Sequence, residues 1–118
     1  MDIVTLHLRL TEETENMLNR TTFNLMKDGI ILVNSSRAKV IENNALLNAL
    51  DQNKVRIAAL DVLYPEPCYD NDPKTKKYHH VLLNHPKIFI TPHIGASTSD
   101  AQKKVSDELI NQIKNICI

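Results

Sequence analysis

Arg37, Glu66 and His93 are of the residue types that bind an anionic substrate and move one of its protons. Histidine is the side chain best matched to proton transfer near neutral pH. His93 stands in Thr91-Pro92-His93-Ile94-Gly95-Ala96-Ser97-Thr98, between a short β-branched stretch and a long pattern with helical spacing. Glu66 precedes it on a loop, and a carboxylate beside an imidazole fixes the tautomer and favours the charged ring. Arg37 offers a planar, permanently charged fork that suits a carboxylate. Asp61 closes the apolar run Ala58-Ala59-Leu60, where an unpartnered carboxylate would be costly. Each residue also has a plainer reading: a loop histidine, a rigid Pro-Glu-Pro turn, or an arginine capping a helix end. His7, His79, His80 and His85 are weaker candidates, with His79-His80 reading as a solvated pair ahead of a metal site.

The elements that must position these groups follow from the apolar patterning. Residues 3–8 read as a buried strand, followed by a polar turn at Thr11-Glu12-Glu13-Thr14. Thr21-Thr22 is placed to cap a short helix carrying Phe23, Leu25 and Met26, ended by Lys27-Asp28-Gly29. Ile30-Ile31-Leu32-Val33 is apolar throughout, which predicts a parallel strand covered on both faces. A helix over 42–51 carries the stripe Ala45, Leu46, Ala49 and Leu50, and a third strand follows over 55–62. The next loop contains Pro65, Pro67 and Pro73, so no regular element is assigned before the patch Val81-Leu82-Leu83. A fourth strand is expected over 88–91. A last helix from Ser97 or Thr98 would turn Ala101, Val105, Leu109, Ile113 and Ile116 to one side. This alternation predicts an α/β fold with an open parallel sheet, whose polar loops bring distant residues to one edge.

The bulk composition narrows the class. The length suits one modest domain. Lys plus Arg equals Asp plus Glu at 14 each, so no net field draws in nucleic acid or an anionic membrane, and the cluster Lys74-Thr75-Lys76-Lys77 reads as a solvated loop. The two cysteines, Cys68 and Cys117, have no ligand-like spacing, which points to a reducing, cytoplasmic setting without a structural metal. No apolar run approaches the roughly 20 residues that span a bilayer. The opening residues lack the basic start and apolar stretch of a signal peptide.

Five blocks in order carry a resemblance. They are Asp2-Ile3-Val4-Thr5-Leu6-His7-Leu8, the run from Phe23 through Met26-Lys27-Asp28-Gly29, and Leu32-Val33-Asn34-Ser35-Ser36-Arg37. Ala58-Ala59-Leu60-Asp61-Val62 with Pro65-Glu66-Pro67, and the run from Thr91 to Thr98, complete the set. The chain resembles the D-isomer-specific 2-hydroxyacid dehydrogenases, most of all their phosphoglycerate-oxidising branch. The resemblance implies the second half of a Rossmann-like NAD-binding domain over 1–118, reversible hydride transfer between NAD and the CH–OH of a D-2-hydroxy acid, and a homo-oligomer in the family's full-length proteins. It implies that Arg37 binds the substrate carboxylate and that His93 exchanges the hydroxyl proton with Glu66 as its partner. Leu8, Ser35, Ser36, Arg37, Asp61, His93, Ile94, Gly95 and Ala96 would lie along the cofactor. With only Gly29 and Gly95 present, these 118 residues cannot form the family's G-x-G-x-x-G phosphate loop. They are therefore expected to show negligible turnover alone. Ala38 and Ile57 stand where the family usually has glycine, and Arg9 where it has proline. Both glycine replacements are expected to perturb nearby backbone. The alternative is an inactive relic that serves as a binding or oligomerisation module.

Overall fold

The structure is a computed structural model that describes residues 2–66 and 78–116. Strand β1 (Ile3–Leu6) leads through α1 (Arg20–Leu25) to β2 (Ile30–Asn34). A 3-10 turn at Ala38–Val40 and α2 (Asn43–Asp51) then lead to β3 (Val55–Leu60), β4 (Ile88–Ile90) and α3 (Ser99–Ile116). The four strands form one parallel sheet in the order β1-β2-β3-β4. The expected fold class is therefore the observed one, with three of the strands slightly shorter than the apolar runs suggest. Pro67, Cys68, Tyr69, Pro73, the basic cluster at 74–77, Cys117 and the side chain of Ile116 lie outside the described residues.

The expectation of a sheet covered on both faces is not met. Leu6, Ile30, Leu32, Ala58 and Leu60 point to one face, where Phe23 of α1 and Ala45, Leu46, Ala49 and Leu50 of α2 bury them. The register places Ile3, Thr5, Ile31, Val33, Ile57, Ala59 and Phe89 on the other face. There Ile3 remains 65% and Phe89 64% exposed. The physical reason is topological. Crossovers between parallel strands are right-handed, so an order that advances steadily puts every crossover helix on the same side. The second face is covered only where strand order reverses, and these four strands contain no reversal. Helix α3 has the expected amphipathic spacing, yet Val105, Leu109 and Ile113 stay at least half exposed.

Local chemistry explains the element ends. The cap of α1 is Asn19, not the expected Thr21-Thr22 pair. Its side chain accepts from the Thr21 and Thr22 N–H groups, at 3.0 and 3.2 Å, while its own N–H donates to the Thr22 hydroxyl at 2.8 Å. Thr22 is thus the third helical residue closing a reciprocal capping box. The helix ends at Leu25, before Gly29, whose φ of +79° serves the turn into β2. Neither Ala38 nor Ile57 takes a positive φ, and the pairing of β2 with β3 is irregular where Ile57 enters it, the register shifting between Ile30 and Ile31.

Candidate functional site

Parallel strands end on a common edge, and the candidate residues are strung along it. Leu8 follows β1, Ser35 to Arg37 follow β2, Asp61 and Glu66 follow β3, and His93 to Ala96 follow β4. Leu8 packs partly against the core, whereas Ser35, Arg37 and the 93–96 segment are exposed.

Glu66 and His93 meet. His93 Nδ1 lies 3.1 Å from Glu66 Oε1, with both side chains a little under half exposed. The two groups are in ion-pair contact, and a proton on Nδ1 would face the carboxylate and leave Nε2 available for proton transfer. His93 adopts a φ of +54°, a left-handed conformation unusual for a residue with a Cβ. Asp61 holds the turn in that shape. Its Oδ1 accepts from the Thr91 hydroxyl and from the Ile94 N–H at 3.0 Å, and its Oδ2 accepts from the Gly95 N–H at 2.8 Å. Burial pushes the Asp61 carboxyl up, but the Thr91 hydroxyl, the Ile94 and Gly95 amides and nearby His93 together outweigh it and hold the group below its usual range. The carboxylate that looked costly in the sequence is thus amply partnered. A Cβ on Gly95 would come within 3.0 Å of Asp61 Oδ2, which explains the glycine.

Arg37 stands one strand away from Asp61. Its guanidinium donates to the Ser36 carbonyl at 2.8 Å and is not among the groups lining the cavity beside Glu66 and His93. The loop that presents it is organised by Asn34, the buried last residue of β2. Asn34 Nδ2 donates to the Arg37 carbonyl at 3.0 Å, and its Oδ1 accepts from the Ser36 N–H and hydroxyl at 3.0 and 2.9 Å. Asn34 is not among the candidate residues that the sequence singles out. The signal available was a polar side chain ending an apolar run, the same signal that singled out Asp61.

A cavity of about 220 Å³ opens beside the histidine, lined by Asp61, Leu63, Glu66, Tyr78, Leu83, Ile90, Thr91, Pro92 and His93. Whole small-molecule sites begin at about 300 Å³, so this one takes one ring or a small acid and not an entire dinucleotide. Apolar walls together with Asp61, Glu66, Tyr78 and His93 fit the nicotinamide end of NAD. Nothing in the described residues offers the glycine-rich cradle that a pyrophosphate needs. Tyr78 and His80 were missed or underrated in the sequence. Half-buried His80 is not a solvated residue: it bonds the Tyr64 carbonyl at 2.9 Å and the Leu82 N–H at 3.2 Å. No group of three or more His, Cys, Asp or Glu side chains that could hold a metal is found among the described residues.

Residues 1–95 match the sequence profile of the D-isomer specific 2-hydroxyacid dehydrogenase, NAD binding domain. A D-3-phosphoglycerate dehydrogenase of Bacillus subtilis is 40% identical over 112 residues, covering 95% of this chain and 20% of that protein. A hydroxypyruvate reductase of Thermotoga maritima is 39% identical over 112 residues, again covering 95% of this chain and 35% of that protein. Among solved structures, a D-lactate dehydrogenase of Aquifex aeolicus complexed with NAD and lactic acid superposes with a TM-score of 0.77 at 29% identity, covering 98% of this chain and 37% of that one. The chain spans about a fifth to a third of the length of these curated relatives. No helix among the described residues is long and apolar enough to cross a membrane. The strand-edge arrangement, the His93–Glu66 pair and the profile match over most of its length converge, and the chain belongs to the NAD-binding domain of the D-isomer-specific 2-hydroxyacid dehydrogenases.

Proposed function

We propose that the protein carrying these residues interconverts a D-2-hydroxy acid and its 2-oxo acid with NAD, and that its substrate is 3-phosphoglycerate or a close analogue. The observation that carries the reading is the contact between His93 Nδ1 and Glu66. A carboxylate at that distance from Nδ1 favours the tautomer whose Nε2 accepts a proton during oxidation and returns it during reduction. Bound NAD supplies the hydride chemistry, while the protein positions and charges the site. Arg37 exchanges the Ser36 carbonyl for the substrate carboxylate. Asp61, by fixing Ile94 and Gly95, keeps the backbone that faces the nicotinamide in place. The phosphorylated substrate is favoured by the relatives so named in Bacillus and Arabidopsis, against the hydroxypyruvate and lactate enzymes that match about as well. A homo-oligomeric state for the full-length protein is proposed on the family resemblance alone.

The test is NADH oxidation by the intact protein with phosphohydroxypyruvate, hydroxypyruvate, 2-oxoglutarate and pyruvate. His93→Ala is expected to lower kcat by roughly 10²–10⁴-fold, the range for removing a general acid–base group. Arg37→Ala is expected to raise KM as well as lower kcat. Equal and small effects from both substitutions would refute the assigned roles, and a preference for pyruvate would refute the phosphorylated substrate.

A further inference from the structure

Glu66 owes its position to something other than its own side chain. The two carbonyls immediately before it, those of Tyr64 and Pro65, are each gripped by donors from distant parts of the chain. The Tyr64 carbonyl receives His80 Nε2 at 2.9 Å and Asn43 Nδ2 at 3.1 Å, and the Pro65 carbonyl receives the Tyr78 hydroxyl. Asn43 is the first residue of α2, so the grip ties the loop to an element rooted in the core. Tyr78 stacks on His80, with ring centres 6.0 Å apart, and the Lys39 ammonium lies 4.4 Å from the Tyr64 ring centre.

The tautomer of His80 follows from its partners. Nδ1 accepts from the Leu82 N–H at 3.2 Å, so the proton must sit on Nε2 and point at the Tyr64 carbonyl. Asn43 Nδ2, 3.4 Å from Nε2, is then a second donor converging on the same oxygen. One carbonyl with two donors and its neighbour with a third make a bracket around a backbone that is otherwise loop. Loops without such ties carry their side chains through a range of positions, whereas a proton-relay carboxylate must stay within hydrogen-bond reach of its imidazole.

We propose that His80, with Asn43 and Tyr78, is a positioning residue that holds Glu66 against His93. This rests on the dehydrogenase reading above and assigns the device that keeps its acid–base pair assembled. The bonds of all three side chains to the Tyr64 and Pro65 carbonyls act on Glu66 through the loop backbone.

The experiment is nitrogen-15 NMR of the histidine side chains in the full chain, at a pH where His93 is neutral. Wild type is expected to show His93 with its proton on Nδ1, and Glu66→Ala to lose that tautomer in favour of Nε2–H. His80→Ala is expected to move His93 most of the way to the Glu66→Ala spectrum. His80→Gln should restore the wild-type state, because an amide offers both a donor for Tyr64 and an acceptor for Leu82. Should His80→Ala not fold, the pair Asn43→Ala and Tyr78→Phe removes the other two donors and must give the same displacement. A wild-type tautomer retained in His80→Ala, or in that pair, while Glu66→Ala loses it overturns the bracket. A wild-type His93 protonated on Nε2 overturns the bracket together with the catalytic pairing. Normal tautomers in an enzyme that turns over no 2-oxo acid overturn only the dehydrogenase reading.

Discussion

At the scale of single residues, the turn carrying His93 is a balance between backbone strain and hydrogen bonding. A left-handed backbone at a residue with a side chain costs roughly 1–2 kcal/mol. Asp61 offsets it by accepting from Thr91 before the histidine and from Ile94 and Gly95 after it. Gly95→Ala should therefore destabilise the wild type, because its Cβ would crowd the Asp61 carboxylate, which three donors hold in place. The same change should be nearly neutral in an Asp61→Ala background, and a urea double-mutant cycle reads the difference. Asp61 also predicts a pH dependence. Its folded-state carboxyl lies below its ordinary value, so the stabilisation is fully present above that value and is lost as pH falls through the folded one. The gap in urea midpoint between wild type and Asp61→Asn should be wide at pH 6 and begin to shrink only as pH falls below about 4. The sequence showed that Asp61 needed a partner, because a carboxylate ending an apolar run is anomalous. It did not show which, since the donors are backbone amides of a turn that forms only when β3 and β4 pair.

The elements divide into those whose stability is settled inside this chain and one whose apolar face is not. Helix α1 is six residues long, too short to persist without its caps and its buried Phe23. Asn19→Ala should cost about 1 kcal/mol, measured by chemical denaturation. In α2, Leu46 is fully buried, and Leu46→Ala should cost about 2–5 kcal/mol. Leu109 on α3 is 56% exposed despite an equally regular apolar spacing, and Leu109→Ala should change the melting free energy by no more than about 0.5 kcal/mol. That contrast marks how far patterning carries. Spacing identified both helices, expected over 42–51 and from Ser97 or Thr98 and found at Asn43–Asp51 and Ser99–Ile116, because period is a local property. What each apolar face meets depends on strand order and crossover hand, so the open face of the sheet was not legible. The Glu66–His93 pair was legible for the complementary reason: parallel strands deliver all their ends to one edge, whatever lies on the faces.

At the scale of the whole molecule, the shape departs from that of a sphere. The Cα radius of gyration is 17.4 Å and the principal extents are 57 × 39 × 27 Å. A compact domain of this length would have a radius of gyration of about 13.5 Å. X-ray scattering from the monomer should return the larger value, and a value near the compact one would mean that α3 had folded back over Ile31, Val33 and Phe89. The strand order has a further consequence, in time rather than space. Each strand pairs with the one made next, and paired residues lie about 25–30 positions apart throughout the sheet. Among the described residues every strand pairing is of this short range, so a nascent polypeptide emerging from the ribosome can add these strands one by one in the direction of synthesis. His93 would be set against Glu66 only with the last of these additions.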